Sequence, residues 1–417
     1  MYWSITKLAI GVCWIACLLS LSEAASGQDS LRMREAILTL TAPEFHGRGY
    51  VREGDRKAGQ WIQEQFAQIG LRPIGQRYIQ AFRHDVWTFP EDPLLQIGKK
   101  KLRPGLDFMP DAASSGGDER LRLVHLDTGI FSDPEALRQW QQKDLNRAAL
   151  CYDQRWEQAV WELEQPLRPA LHLIVQENLI FSIADRPRRP PTLRLRERPQ
   201  VRRVRYALHT QAQPDYESHN IMGMIEGKTQ PDSVVVFTAH YDHLGGWGKV
   251  YFPGANDNAS GVALLLELAR HYAQHPPKYT IAFMAFAGEE AGLKGSRFYV
   301  EHPRFPLSQI KFLVNLDLTG TGKTGATVVN ATAYPEAYRH LKSLNETGGY
   351  LRALQARNPA PNSDQHFFHL AGVPCFFIYL TTDRPIPYHH PEDTLDQIRL
   401  SGVRGLFRLL VDFEKNL

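Results

Sequence analysis

The chain has 417 residues, of which 43% are hydrophobic and 22% charged, a composition typical of a globular protein. Its 48 basic and 45 acidic residues leave a formal net charge of +3, so the overall charge gives no reason to expect a nucleic-acid partner. The length exceeds that of a usual single domain, which predicts either two domains or one large domain with an insert.

The first 24 residues are typical of a signal peptide. Lys7 precedes an apolar stretch at 8–21, and in Ser22-Glu-Ala24 the two small residues have the spacing that a signal peptidase needs. Because the stretch is too short to span a membrane, we expect export to the periplasm or the medium. A lipoprotein signal ending at Cys17 is the less favoured alternative, since the residues before it fit that motif poorly.

The cysteines give no disulfide or zinc-finger pattern. Cys13 and Cys17 lie inside the signal segment, and Cys151 and Cys375 lie in apolar runs that predict two separate buried thiols. No Cys-x-x-Cys pair follows the signal segment, so any metal there must be bound by histidines and carboxylates.

Residues 25–89 are predicted to form the N-terminal part of the main domain. The pattern is helical from Met33 to about Gly70, where the glycine is expected to end the helix. The apolar residues with this three-to-four spacing are Ala58, Trp61, Ile62, Phe66 and Ile69.

Residues 90–205 are rich in proline, arginine and short apolar runs, which predicts an inserted β-rich domain. Three of the runs are typical of strands, at 121–126, 147–152 and 171–175. A basic run at 186–191 raises the possibility of a nucleic-acid surface. We favour a solvated linker that leads into a strand with one solvent-exposed face over a nucleic-acid surface, because no aromatic stacking pattern accompanies the run.

Residues 206–417 alternate strands and helices, which predicts an α/β fold with a mostly parallel mixed sheet sandwiched by helices. The predicted strands are at 234–239, 280–286, 312–316 and 375–380, and the predicted helices are at 261–272, 291–301 and 395–414. The strands are continuously apolar, as in a sheet that is buried on both faces.

Potential metal ligands recur just after these strands, where open α/β sheets bind their ligands. They are His240, Asp257, Glu290, Asp317 and His389. Each has an ordinary structural explanation on its own: a surface histidine, an aspartate that caps a helix or forms a turn, or a surface acid.

Two details favour the metal-binding interpretation. Asp242 follows His240 by two residues, where its carboxylate can accept the imidazole's second N–H. Glu289 and Glu290 are adjacent acids after a very apolar strand, and their repulsion is relieved if one binds a metal while the other acts as a base on a metal-activated water. Two histidines and three carboxylates suit a pair of Zn²⁺ ions, which together can promote amide hydrolysis.

These segments resemble family M28 metallopeptidases, the two-zinc aminopeptidases. The matching blocks are His240-Tyr-Asp-His-Leu-Gly-Gly, Gly254-Ala-Asn-Asp-Asn-Ala-Ser-Gly, Phe286-Ala-Gly-Glu-Glu-Ala-Gly-Leu-Lys-Gly-Ser, Asn315-Leu-Asp and Tyr388-His-His-Pro-Glu-Asp-Thr. Upstream, the blocks Glu44-Phe-His-Gly-Arg-Gly and Ile69-Gly-Leu-Arg-Pro look like the N-terminal region of the family, and the insert resembles a protease-associated domain.

The resemblance implies an aminopeptidase with peptide or protein N-termini as substrates, and it implies no stable partner. The near balance of charge predicts no nucleic-acid partner. It implies one zinc on His240, Asp257 and Asp317, and a second on Asp257, Glu290 and His389, so that Asp257 bridges the two ions. Glu289 would be the general base, and Tyr388 would stabilise the oxyanion. The family also often has a cis peptide bond after the bridging aspartate, here Asp257–Asn258.

The chain departs from the family pattern at Gln365, which stands where a histidine is usual, so the chemistry of the substrate pocket there is open. Two alternatives remain at this stage. One is a one-zinc glutaminyl cyclase, an acyltransferase on the same scaffold. The other is a metal-free receptor-like domain, although such derivatives usually lose ligands that this chain keeps.

Overall fold

The computed structural model describes residues 30–163 and 165–417, so the predicted signal peptide lies outside the described residues. None of the helices in these two ranges combines the length and the apolar character that a membrane crossing requires.

The α-helices, numbered in chain order within the described residues, are Ser30–Leu40 (α1), Gly54–Ile69 (α2), Pro134–Gln141 (α3), Glu157–Trp161 (α4), Ser260–Gln274 (α5), Lys294–Glu301 (α6), Pro335–Gly348 (α7), Gln365–Leu370 (α8) and Val403–Lys415 (α9). The strands are Arg72–Pro73 (β1), Ile79–Thr88 (β2), Leu94–Ile97 (β3), Lys100–Lys101 (β4), Phe108–Pro110 (β5), Gly117–His125 (β6), Ala148–Asp153 (β7), Leu171–Val175 (β8), Thr192–Leu195 (β9), Arg203–Leu208 (β10), Gln211–Ile225 (β11), Gln230–His240 (β12), Gly246–Trp247 (β13), Val250–Tyr251 (β14), Tyr279–Phe286 (β15), Ile310–Leu316 (β16), Gly325–Val329 (β17), Leu354–Arg357 (β18) and Cys375–Thr381 (β19).

The main sheet has nine strands in the order β1-β11-β15-β12-β16-β19-β17-β18, and β2 pairs with β11. Its centre is parallel: β12 runs parallel to both β15 and β16, and β16 runs parallel to β19. Antiparallel pairs flank this centre, where β11 joins β15 and β17 joins β19. The predicted mixed α/β fold is confirmed, with its parallel pairs concentrated in the middle of the sheet.

Helices cover both faces of this sheet because its central strands are apolar on both sides. On one face Val235, Phe237 and Ala239 pack with residues of α1, α2, α5 and α9. On the other face Val234 and Val236 pack with residues of α6 and α8. The result is an α/β/α sandwich with one hydrophobic core on each side of the sheet.

A second sheet of eight strands lies between β2 and β11 in the sequence, in the order β4-β3-β10-β6-β7-β8-β9-β5. One of its hydrophobic clusters includes Trp247 and Phe252 from the segment that follows β12, so the two sheets share apolar contacts. Its last strand, β10, crosses the predicted domain boundary at residue 205. The boundaries 90–205, and the comparison with a protease-associated domain, stay predictions.

The chain enters and leaves this smaller sheet at neighbouring points. Thr88, the last residue of β2, is the pairing partner of Gln211, the first residue of β11. Within the smaller sheet, β3 and β10 also pair in antiparallel fashion, from Leu94 opposite Ala207 to Ile97 opposite Val204.

The continuous helix predicted from Met33 to Gly70 is wrong in its middle. The chain forms α1 and α2 with irregular turns between them, because Pro43 interrupts the backbone pattern and His46 and Gly47 take positive φ angles of 43° and 65°. The predicted end is confirmed, since α2 stops before Gly70, which has a φ of 89°.

Two further helix starts were predicted too early. The helix expected from residue 291 begins at Lys294, because Gly292 and Leu293 have positive φ angles. The helix expected from residue 395 begins at Val403, after a 3₁₀ turn and a Leu400 whose φ is also positive. The two cysteine predictions are confirmed, since Cys151 and Cys375 are buried and unbridged.

Candidate metal centre

The parallel centre of the main sheet brings three of the candidate ligands to one edge. His240 is the last residue of β12, Asp317 directly follows β16, and the pair Glu289-Glu290 follows β15. Since β15, β12 and β16 are neighbours and parallel, their carboxyl ends meet at the same edge of the sheet.

Asp257 stands between two groups of ligand atoms. At one of its oxygens, His240 Nε2 lies 3.3 Å from Asp257 Oδ1 and 3.4 Å from Asp317 Oδ1. We call this group site A. At the other oxygen, His389 Nε2 lies 3.3 Å from Asp257 Oδ2 and 3.2 Å from Glu290 Oε2. We call this group site B.

These spacings fit zinc ligands. Zinc lies about 2.0–2.2 Å from nitrogen and carboxylate donors in a tetrahedral arrangement, which places two donors on one ion about 3.4 Å apart. All five side chains are largely buried, with His389 the most exposed of them at 12%. Within the described residues Asp317 Oδ1 is buried without a hydrogen-bond partner, as expected for an oxygen that binds a cation. The donor set therefore fits two zinc ions.

The electrostatic field at the two sites favours positive charge. Burial on its own lowers the pKa of His389, but Glu290 and Asp257 outweigh burial and raise that pKa to about 11. The pKa of His240 is shifted in the same direction, because Glu289 and Asp317 outweigh the effect of burial and hold this pKa well above the usual value. The same carboxylates would stabilise a bound cation.

The turn that carries Asp257 is held by two buried charged residues. Asp393 accepts hydrogen bonds from the backbone N–H groups of Asn256 and Asp257. Arg48 is fully buried and donates to the carbonyl oxygens of Gly254 at 2.9 Å and Asp257 at 3.1 Å. The peptide bond between Asp257 and Asn258 is cis, as the family resemblance implied.

Asp317 is oriented by a chain of hydrogen bonds that the sequence reasoning missed. Thr238 Oγ1 donates to Asn315 Oδ1 at 2.7 Å, and Asn315 Nδ2 donates to Ser363 Oγ at 2.8 Å. Ser363 then donates to Asp317 Oδ2 at 3.0 Å, which leaves Oδ1 facing His240. Ser363 lies two residues before Gln365, where the chain departs from the family pattern, and its role became visible only from the structure.

His243 was also missed as a functional residue. Its Nδ1 lies 2.7 Å from Glu290 Oε1, and this contact leaves the other oxygen of Glu290 beside His389. The signal was present in the sequence, because His243 is the fourth residue of the block that begins at His240.

The contact predicted for Asp242 is wrong in one respect. His240 Nδ1 lies 3.1 Å from the backbone carbonyl oxygen of Asp242, and the Asp242 carboxylate is 3.9 Å away. That carboxylate instead accepts hydrogen bonds from the backbone N–H groups of Glu289 and Glu290. Asp242 therefore links the ends of β12 and β15, and its backbone orients the imidazole.

Glu289 lies beside site A and Tyr388 beside site B. Glu289 offers an oxygen within 4.8 Å of the ligand atoms of His240 and Asp317. Burial is the largest cause that raises its pKa above the usual value, and His240 opposes this shift. Tyr388 is 49% exposed, and its ring stacks on that of His389 with 3.9 Å between centroids.

Gln365, where the chain departs from the family pattern, is buried. Its side-chain N–H donates to the carbonyl oxygen of Ala360 at 3.0 Å. The side chain is thus engaged with the segment just before its own helix, α8.

A cleft of about 1500 Å³ opens beside the candidate ligands. Glu290, Ala291 and Gly292 line it from the main domain, and Trp161 and Ile180 are among the residues that line it from the smaller sheet's part of the chain. A molecule that reaches Glu290 through this cleft therefore passes between the two parts of the chain.

Part of the chain is similar in sequence to known peptidases. Residues 220–413 match the model of Peptidase family M28. The aminopeptidase YwaD of Bacillus subtilis is 34% identical over 192 residues, which is 43% of this chain and 40% of that protein. A probable leucine aminopeptidase of Arthroderma otae is 29% identical over 212 residues, which is 48% of this chain and 58% of that protein. The chain thus matches less than two thirds of the length of these relatives.

Solved structures share the fold over nearly the whole chain. A zinc aminopeptidase from Bacillus subtilis superposes with a TM-score of 0.70 at 20% identity, covering 93% of this chain and 95% of that one. A peptidase M28 precursor from Shewanella amazonensis gives a TM-score of 0.67 at 19% identity, covering 95% of both chains. At these identities the likeness establishes the fold, including the smaller sheet's part of the chain.

Proposed function

We propose, from the match of residues 220–413 to the model of Peptidase family M28, that the chain is an aminopeptidase that uses two zinc ions to hydrolyse the first peptide bond of peptides. The observation that carries the proposal is the arrangement around Asp257. Its two oxygens each lie 3.3 Å from a different histidine nitrogen, and each histidine also meets a second carboxylate.

The proposed ligands are His240, Asp257 and Asp317 for one ion, and Asp257, Glu290 and His389 for the other. When bound, zinc would polarise the scissile carbonyl group and lower the pKa of the attacking water toward neutrality. The buried outer contacts, including those of Ser363 and His243, would keep the ligand oxygens in place without further rearrangement.

Glu289 is proposed as the general base. It is adjacent to the site but is not needed to complete either ligand group, so its carboxylate is free to take a proton from the attacking water and pass it to the departing amine. Tyr388 is proposed to donate a hydrogen bond to the carbonyl oxygen as negative charge develops there. Its hydroxyl stays protonated for this role, because the partial burial of this half-exposed residue and the charge of Asp257 raise the pKa of Tyr388.

Peptide or protein N-termini are the proposed substrates. Supporting this, two of the relatives that match the chain are named as aminopeptidases, and the cleft beside Glu290 is large enough for several residues of a peptide. We further propose that the part of the chain at 90–205 is a protease-associated domain. We also propose that the protein is exported, because residues 1–24 have the pattern of a signal peptide.

The proposal is tested by measuring zinc per chain by elemental analysis, together with turnover of a panel of aminoacyl p-nitroanilides with and without a chelator. We expect two zinc ions per chain, and activity that the chelator removes and added zinc restores. One zinc per chain with cyclisation of N-terminal glutamine would instead identify a cyclase. Absence of bound zinc and of activity after zinc addition would contradict an enzymatic role.

A further inference from the structure

The loop at 388–391, which carries His389, is held by the part of the chain that forms the smaller sheet. We call this loop the histidine loop. Three residues outside the main sheet touch it: Gly105, Phe181 and Arg196. All three belong to the region between β3 and β10.

The contact with Phe181 reaches the candidate ligand itself. His389 Nδ1 lies 2.9 Å from the carbonyl oxygen of Phe181, and the backbone N–H of Phe181 donates to the carbonyl oxygen of His389 at 3.3 Å. A neutral imidazole carries one N–H, so a hydrogen bond from Nδ1–H leaves the lone pair of Nε2 free for a cation. That Nε2 is the atom that faces Asp257 and Glu290.

Phe181 is itself anchored by an aromatic cluster. Its ring centroid lies 4.8 Å from that of Trp247, 5.4 Å from that of Phe252 and 6.0 Å from that of Phe89, and the side chain is 4% exposed. Its neighbour Ile180 is turned the other way and lines the cleft. The backbone of this segment is therefore fixed by packing on one side, which fixes the carbonyl group that meets His389.

The other two contacts hold the rest of the histidine loop. Arg196 Nη2 lies 3.3 Å from His390 Nε2. Gly105 packs so closely on Pro391 that a Cβ atom at position 105 would lie 2.8 Å from Pro391 Cγ. The loop is thus contacted at three successive residues by three separate segments of the smaller sheet's region.

We propose that the region of the smaller sheet is a structural component of the metal centre, in which the Phe181 carbonyl orients His389 and thereby sets the affinity of site B for its cation. Phe181 is a positioning residue in this proposal, which rests on the proposed function because it takes site B to bind zinc. Site A serves as an internal reference, since the second nitrogen of His240 meets the carbonyl of Asp242 in its own segment.

The test is a zinc titration of the metal-free full chain against a competing chelator, which resolves the two binding steps. Loss of an outer contact to a metal-binding histidine usually weakens metal affinity about 10- to 100-fold. Phe181→Ala should weaken one of the two steps by such a factor and leave the other unchanged, and Phe181→Leu should restore most of the loss. Arg196→Ala, at an exposed side chain, should weaken the same step by a smaller factor.

Two controls separate this effect from general damage. Phe131→Ala removes a ring that stacks on Trp156 in the same region, away from the histidine loop, and should leave both steps unchanged. Arg202→Ala is the matched exposed control for Arg196. An effect of the controls equal to that of Phe181→Ala would overturn the proposal.

The outcomes distinguish this inference from the proposed function. If the unmodified chain binds fewer than two zinc ions, the proposed function fails. If the unmodified chain binds two and Phe181→Ala binds both as tightly, only the present inference fails.

Should Phe181→Ala not fold, ¹⁵N-histidine NMR of the unmodified zinc-loaded chain decides the matter. We expect a protonated Nδ1 on His389, protected from exchange with water and assigned by its loss in His389→Gln. A rapidly exchanging or unprotonated Nδ1 would overturn the inference.

Discussion

At the scale of single residues, Asp257 is the point where the two candidate zinc sites meet. Because each of its oxygens serves a different site, we expect Asp257→Ala to lower the occupancy of both ions together, whereas Asp317→Ala should affect mainly site A. Zinc per chain, measured by elemental analysis after dialysis at fixed free zinc, checks this. Loss of one ion alone from Asp257→Ala would contradict a bridging role.

Glu289 and its neighbour Glu290 provide a matched pair of variants. Glutamine cannot take up a proton as a carboxylate does, so Glu289→Gln should keep two zinc ions but lose about 10²- to 10⁴-fold in kcat. Glu290→Gln should lose zinc from site B as well as activity. Unchanged turnover in Glu289→Gln would remove this residue as the base.

Asp55 is a buried acid away from the candidate ligands, and it predicts a pH dependence of stability. It accepts hydrogen bonds from Tyr216 and Ser218, and burial raises its pKa from the usual 3.8 to about 7. The folded state therefore binds the proton more tightly than the unfolded state. The stabilising contribution is complete below pH 3.8 and is lost as the pH rises to about 7.

The prediction is tested with Asp55→Asn, which should remove this contribution. The free energy of unfolding of the unmodified chain, relative to that of Asp55→Asn, should fall between pH 4 and about pH 7 and level off above it. Urea titrations at several pH values give the difference, with the exposed Asp85→Asn as control. A difference that does not vary with pH would contradict the assignment.

The sequence located the candidate ligands but not the contacts that orient them. His240 and Asp317 could be predicted because they end apolar strands that lie parallel in one sheet. The carbonyl groups of Asp242 and Phe181 could not, because backbone atoms carry no residue-specific signal and Phe181 is more than 200 positions from His389 in the chain.

At the scale of elements, Arg48 ties the start of the main domain to the turn of Asp257. Its guanidinium group also donates to the carbonyl oxygens of Leu40, at the end of α1, and Tyr241, directly after β12. These carbonyl groups are buried with it, so removing the guanidinium leaves several acceptors without a donor.

Arg48→Met should therefore lower the free energy of unfolding by about 3 kcal/mol or more. Denaturant titration measures the change. Arg52→Met is a suitable control, because Arg52 is exposed and donates to the single carbonyl of Gly248. A loss no larger than that of the control would contradict the role assigned to Arg48.

The sequence predicted the central strands better than the helix starts. β15 and residues 234–239 of β12 are largely apolar and buried on both faces, so composition alone identifies them. The starts of α6 and α9 follow Leu293 and Leu400, which have positive φ angles. A leucine in the sequence does not indicate that conformation, so these helix starts could not be predicted. The long strand β11 was missed because its first half is polar and largely exposed.

At the scale of the whole molecule, the proposed zinc ions should stabilise the fold, because their ligands come from segments far apart in the chain. A ligand that binds only the folded state at a thousand times its Kd adds about 4 kcal/mol to the free energy of unfolding. We therefore expect a chelator to lower the Tm and added zinc to restore it, as measured by circular dichroism. An unchanged Tm in a chain shown to have lost its zinc would contradict this.

The pairing of Thr88 with Gln211 has a consequence for how such a protein can arise. The chain leaves the nine-stranded sheet at Thr88 and returns to it at Gln211, and these two residues pair with each other. A single genetic insertion or deletion between β2 and β11 therefore adds or removes the entire eight-stranded sheet without changing the order of the strands in the main sheet. An ancestor with a short turn at this point would have had the main sheet that carries the candidate ligands, but not the contacts of Phe181, Arg196 and Gly105 with the histidine loop.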